Sequence, residues 1–286
     1  MAKRIFTISV FILMVSVFSA GMVAGQTLKM GAVTGAEANI SKAAKHFIQL
    51  VEERTNGSVT IKYFPDSMLG KAATQLESLR MGELDFFVGG VGWFSQLAGE
   101  FNLWAAAFVM KNYEHARAAM EGEPGDIAKG KLLEQYKIRM LDGTWYRAPR
   151  QVFSTEKGGP IRSINDLDGV IMRTVPLDAF AIPWGETPVT TTSIPYSELY
   201  MALKQSVAEA FEGPIDLTVH NKMHEPCKYL SLTSHQFETA GIVISEMTYQ
   251  GLSAEEQNII QEAAAETRDF TEELIKGDVE KQLENL

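Results

Sequence analysis

The sequence predicts an α/β protein built as two lobes, and three observations carry that expectation. Short apolar or alternating runs recur between segments whose apolar residues fall three and four apart, the pattern of strands covered by helices. That alternation occurs before residue 90 and again after residue 170. The 286 residues, 45% hydrophobic and 22% charged, suffice for two separate cores.

Each element follows from local residues. Lys3 and Arg4 precede an apolar run over residues 5–18, broken only by Thr7, Ser9 and Ser16, and small residues fill 19–25. This is the layout of an export signal, shorter than the ~20 apolar residues of a membrane anchor. It predicts cleavage near Gly25 and release outside the inner membrane. No cysteine stands at the exit to carry a lipid. Residues 27–33 predict a strand. Residues 39–54 predict a helix on the spacing of Ala43, Ala44, Phe47, Ile48 and Val51, stopped by Asn56-Gly57. A half-buried strand follows at 59–64, then a helix at 71–81 and a buried strand at 84–88. Strands at 170–173, 189–192 and 207–211 and a helix at 197–204 repeat the alternation, which argues for parallel sheets. Residues 254–286 predict one long helix with Gly277 as its weak point.

The formal net charge of −10, with no cluster of Lys and Arg, excludes a nucleic-acid-binding face. The single cysteine, Cys227, excludes an intrachain disulfide and any multi-cysteine metal site. No nucleophile elbow, phosphate loop or zinc-binding helix motif is present. Gly89-Gly90-Val91-Gly92 lacks dinucleotide-site spacing and reads as a tight turn. His220 and His224 are four apart without a third ligand, which fits a solvated or interhelical pair better than a metal site. No cofactor and no metal is expected, and catalysis is disfavoured.

Residues 146–245 carry the functional signal. Asn165-Asp-Leu-Asp-Gly169 leads into Val170-Ile-Met-Arg173, which places Arg173 at the end of an apolar strand, where ligands of open α/β sheets bind. Arg150 follows Pro149 in a segment that reads as a lobe-connecting strand. Tyr196 opens a helix, where it could both stack and hydrogen-bond. A guanidinium fork suits a carboxylate because it makes two parallel charge-assisted bonds. On residues alone each arginine remains open between a ligand contact and an ordinary ion pair.

Read in order, these stretches resemble the solute-binding proteins of TRAP (tripartite ATP-independent periplasmic) transporters. The resemblance runs from about Thr27 to the C-terminus. It is carried by Val51-Glu-Glu-Arg-Thr-Asn-Gly57, Val59-Thr-Ile-Lys-Tyr-Phe-Pro65, Leu76-Glu77 and Met81-Gly-Glu-Leu-Asp85. Further along it rests on Asn165-Asp-Leu-Asp-Gly169 with Arg173, Tyr196-Ser-Glu-Leu-Tyr-Met-Ala-Leu203, Lys228-Tyr-Leu-Ser-Leu-Thr-Ser-His235 and Leu252-Ser-Ala-Glu-Glu-Gln257.

The resemblance implies a two-lobed periplasmic-binding-protein-like fold with a ligand cleft between lobes and a long C-terminal helix. Lobe I would take residues 26–148 and 237–275, lobe II 149–236 and 276–286, after a signal peptide at 1–25. Family members continue past the long helix, so Leu286 falls short of their usual end. The implied ligand is a small organic acid held by Arg173, with Arg150 or its rival Arg147 assisting and Tyr196 lining the pocket. Glu77, Trp93 and Phe237 complete the expected set. Two departures bear on the ligand: Glu212-Gly213-Pro214 lacks the family's asparagine, and Thr190-Thr191-Thr192 replaces a proline-bearing stretch. The room at Gly213 and the overhang expected of Trp93 lean towards a carboxylate with an apolar or aromatic body. A dicarboxylate, a sugar acid, a sensory ligand-binding protein and a secreted hydrolase stand as alternatives. The implied partners are the large and small TRAP membrane subunits. The implied location is the periplasm, with the mature chain not embedded in the membrane.

Overall fold

A computed structural model describes residues 25–285, and residues 1–24 of the predicted export signal lie outside them. The chain opens with β1 (Gln26–Gly31), α1 (Asn39–Arg54), β2 (Val59–Phe64), α2 (Ala72–Arg80) and β3 (Phe86–Gly90). Helices α3 (Asn102–Ala105), α4 (Tyr113–Glu121) and α5 (Glu123–Tyr136) lead to β4 (Ile138–Trp145) and β5 (Arg150–Thr155). Then come β6 (Ile171–Thr174), α6 (Asp178–Gly185), β7 (Thr190–Ser193), α7 (Tyr196–Lys204), β8 (Ala210–Pro214) and α8 (Ile215–His220). The chain closes with β9 (Cys227–Gln236), β10 (Ala240–Ser245), α9 (Glu246–Gly251) and α10 (Ala254–Asn285).

These strands form two five-stranded sheets, ordered β2-β1-β3-β10-β4 and β7-β6-β8-β5-β9. The expectation of parallel sheets needs one correction. Each sheet has a parallel trio and then one reversed strand, β10 in the first and β5 in the second. The reversed strands are the ones that enter from the other sheet, through residues 146–149 and 237–239. Because β1 and β3 run parallel, as do β6, β7 and β8, the carboxyl ends of both trios mark where a crevice can form.

Side-chain alternation gives each sheet two apolar faces. Phe86 and Val88 join one core layer with Leu28, Met30 and Phe47, while Phe87 joins another with Phe94, Phe101 and Trp104. In the second sheet Phe153 and Phe211 face one way, stacked with ring centroids 5.1 Å apart, and Val152, Met172 and Ala210 face the other. Helix α10 serves both halves. Ile260, Ala263 and Ala264 bury in the first core, and Ile275 buries in the second with Val279 packed against it. The helix runs unbroken through Gly277.

Three local readings shift. The strand expected at 207–211 lies three residues later. Ser206 takes a left-handed φ of 56° after α7, so β8 begins at Ala210 and includes Glu212 and Gly213. Gly89 and Gly90 are not a turn but the last residues of β3, paired with Gly241 and Ala240. His220 ends α8, so His224 does not share its helix; His220 Nε2 instead lies 2.6 Å from Asp278 Oδ2.

Candidate ligand cleft

The carboxyl ends of the two parallel trios face one cleft. From the first sheet come Val33 and Thr34 after β1, and Gly89, Gly90 and Trp93 at and beyond the end of β3. The second sheet contributes Arg150, Arg173, Glu212, Gly213 and, from the helices that follow its strands, Phe180, Tyr196 and Asp216. The crossings add Tyr146, Arg147 and Glu238.

Arg173 sits on β6 with a relative exposure of 1%. Its Nε donates to the Ile194 carbonyl at 2.8 Å, and Nη2 is buried without a hydrogen-bond partner. Burial pushes this guanidinium down to about 10, with Glu212 pulling the other way and Arg150 adding to the decrease. A buried cation with an unmet donor is costly unless something anionic arrives.

Arg150 stands in the opposite condition. It starts β5, and Glu212 lies diagonally across the β5–β8 ladder on the same face. Its Nε donates to Glu212, Nη2 to Glu212 Oε1 at 2.8 Å and Nη1 to Glu238 Oε1 at 2.8 Å. Its guanidinium also lies over the Phe180 ring, 5.0 Å from the centroid. Burial alone would weaken its proton affinity, but Glu212 and Glu238 outweigh it and hold Arg150 above its ordinary range. Conversely, burial would raise Glu212, and Arg150 with His235 overturns that and holds its carboxyl far below the usual carboxylate range. His235 Nε2 lies 3.5 Å from Glu212 Oε2. The pair is closed on itself, so every guanidinium nitrogen of Arg150 is already engaged.

Arg147 and Glu238 bring the two crossings together, Nη1 to Oε1 at 2.7 Å. Glu238 Oε1 thus accepts from two arginines while its Oε2 is buried without a partner. Asp216 Oδ1 and the Tyr196 hydroxyl are likewise buried and unpartnered. Burial raises the Asp216 carboxyl, with Arg147 pulling it back, and burial also raises the Tyr196 phenol. Gly90 makes the first wall fit: a Cβ there would lie 1.9 Å from Arg147 Nη1.

The cleft gathers Arg173, Arg150, Arg147, Tyr196, Trp93 and Gly213. The other three expected residues are not among its lining. Glu77 lies on α2 with its carboxylate paired to Arg80, which draws it below the ordinary carboxylate range. Thr192 sits on edge strand β7, and Phe237 packs against the core layer of Phe87 and Phe94. Sequence reasoning missed Glu212, Glu238, Asp216 and Phe180. Glu212 had a usable signal, an acid following the apolar run at the end of a buried strand; the other three had none. Among the described residues no group of three or more His, Cys, Asp or Glu is arranged to hold a metal ion.

Two sheets joined by crossings, with a polar cleft between the carboxyl ends of their strands, define the class of two-lobed solute-binding proteins. The family model of the bacterial extracellular solute-binding proteins, family 7 (DctP), matches residues 30–286, and the chain belongs to this family, that of TRAP transporter solute-binding proteins. It is 31% identical over 290 residues to the 2,3-diketo-L-gulonate-binding periplasmic protein YiaO of Escherichia coli, covering 100% of this chain and 86% of that one. Identity to the sialic acid-binding periplasmic protein SiaP of Vibrio cholerae is 28%, covering 96% and 84%. A TRAP periplasmic solute-binding protein of Roseobacter denitrificans, solved with bound L-galactonate, superposes with a TM-score of 0.85 at 26% identity, covering 91% and 85%. No helix among the described residues is long and apolar enough to cross a membrane.

Proposed function

We propose that this protein captures a hydroxylated monocarboxylic acid of the sugar-acid kind in its cleft and delivers it to TRAP membrane subunits. The observation that carries the reading is Arg173, a buried arginine with an unmet donor at the carboxyl end of a parallel strand. A ligand carboxylate would complete its fork. Arg147, with only Nη1 engaged, is the second donor, and Arg150, held by two acids, positions Glu212 and Glu238 around it.

The hydroxylated body rests on two supports. The relatives above are described by diketogulonate, sialic acid and galactonate, each a hydroxylated acid with one carboxylate. The unpartnered oxygens of Tyr196, Asp216 and Glu238 would be stranded against an apolar or aromatic body, at about 1–3 kcal/mol each. The reading therefore favours hydroxyl-bearing acids over the apolar body that Gly213 and Trp93 suggest from sequence. It places the mature chain in the periplasm after cleavage near Gly25. On this reading the lobes are 26–148 with 237–275 and 149–236 with 276–286, a division that runs close to that of the sheets although Ile275 packs in the second core, and the protein binds without catalysing.

A thermal-shift screen against hydroxylated monocarboxylates, apolar carboxylates and dicarboxylates tests this. A ligand at a hundred times its Kd adds about 2.7 kcal/mol, a readily visible rise in Tm. Stabilisation by the first class, with the acid recovered unchanged by mass spectrometry, is the expected result. Stabilisation confined to apolar acids, or turnover of the bound acid, would overturn it.

A further inference from the structure

The cleft lining carries three arginines, Arg147, Arg150 and Arg173, and three acids, Glu212, Asp216 and Glu238. Its formal charge is therefore balanced before any ligand arrives. The donors are unevenly distributed, however. Arg150 is saturated by Glu212 and Glu238, and Arg147 already contacts Glu238, so Arg173 is the arginine holding a buried donor with no partner. The acceptors are in surplus: Asp216 Oδ1 and Glu238 Oε2 are both buried, and neither accepts a hydrogen bond. Gly213 contributes no donor there, and a Cβ built on it meets nothing closer than 3.5 Å.

We infer that Asp216, supported by Glu238, is a specificity-determining residue that admits acids presenting a hydroxyl to it and rejects acids that bring a second carboxylate to that wall. The inference rests on the sugar-acid reading and sharpens it. A hydroxyl can donate to the unmet carboxylate oxygens and satisfy them. A second carboxylate has no proton to offer at neutral pH, and with Arg173 and Arg147 taken by the first carboxylate and Arg150 by Glu212 and Glu238 it finds no arginine left to it. It would add a like charge to a desolvated site already holding two unmet acceptors. Rejection thus comes from a repulsive element built into the wall, beyond any lack of attraction.

The test uses titration calorimetry with the tightest-binding hydroxylated monocarboxylate from the screen and its counterpart oxidised to a carboxylate at the far end. Wild type should prefer the monocarboxylate by at least about a hundredfold. Asp216→Asn keeps the size and removes the charge, and its amide can donate. It should bind the monocarboxylate about tenfold more weakly and the dicarboxylate more tightly, collapsing the preference at least tenfold. Asp216→Ser supplies a second variant, since its smaller hydroxyl side chain removes the charge and can donate to either acid. It should also raise dicarboxylate affinity, and it carries the test if Asp216→Asn does not fold. A preference unchanged within threefold in the folded variants overturns the role of Asp216 while leaving the sugar-acid reading standing. Equal wild-type affinity for the two acids does the same. If no hydroxylated acid binds wild type, both readings fall.

Discussion

The first sheet meets the cleft with Val33, Thr34, Gly89, Gly90 and Trp93, none of them charged, whereas the second sheet, its following helices and the crossings bring three arginines and three acids. The difference divides the work of binding. An acid arriving in an open cleft has one wall that can recognise its charge and another that can only cover it. On the proposed reading, recognition would belong to the second lobe and the crossings, and closure by the first lobe would exclude water and strengthen contacts already made. The glycines of the first wall fit that role, because they let backbone approach side chains projecting from the other side.

The sharpest way to break this comparison is to remove charge from the recognising wall. Arg173→Ala should lower affinity about 100- to 5000-fold, the cost of leaving a buried ligand carboxylate unpaired, about 3–5 kcal/mol. The fold should be kept, because Arg173 makes one side-chain hydrogen bond within the protein. Calorimetry with a hit from the screen checks it, and affinity within fivefold of wild type would place recognition elsewhere. Glu212→Gln acts on stability through the same wall. It leaves Arg150 with a buried charge half compensated and should cost on the order of 3 kcal/mol by chemical denaturation at neutral pH. The pH dependence has a definite sign. Glu212 is held below its unfolded value, so its stabilisation is complete above about pH 4.3 and is lost as pH falls below that. The gap between wild type and variant should therefore narrow on acidification and stay flat from pH 6 to 8. A gap that widens in acid would contradict the assigned ion pair.

The same division explains what could be read from the sequence. Arg173 was legible because an arginine ending an apolar strand is a local pattern, and the elements around it obey local periodicity. The condition of Arg150 was not legible, since its partners Glu212 and Glu238 lie 62 and 88 residues away and meet it only through antiparallel register. That register depends on where β8 begins, and apolar Val207 and Ala208 drew the expected strand forward. In the structure Val207 is exposed and donates its N–H back to Ala202, still part of the exit from α7. The reversed strands β5 and β10 were hidden for a similar reason: a strand's direction is set by the sheet it enters, not by its own residues.

Smaller effects should come from the covering wall. Gly90→Ala introduces a Cβ that would meet Arg147 Nη1 at 1.9 Å and Glu238 Oε2 at 2.8 Å. Both are ends of side chains that can shift, so the expected result is displacement of Arg147 and about a tenfold loss of affinity, with little change in Tm. An equal loss of stability would mean that the glycine serves the core and not the cleft.

Smallest of all should be the contacts across the mouth. Lys71, just before α2, reaches Glu198 on α7 at 2.6 Å, but the side chains are 58% and 55% exposed. An exposed ion pair contributes about 0.2–1 kcal/mol and is screened by salt. Lys71→Ala should therefore speed ligand release no more than about fivefold, and the effect should fade as salt rises from 10 mM to 500 mM. The Gly35 N–H, by contrast, donates to Asn221 Oδ1 at 3.0 Å in a part-buried contact that salt does not reach as readily. Stopped-flow release rates of Lys71→Ala and Asn221→Ala at the two salt levels separate these latches. A salt-insensitive increase for Lys71→Ala would mean that the lysine works through packing against the other lobe, and the covering wall would then be more than a lid.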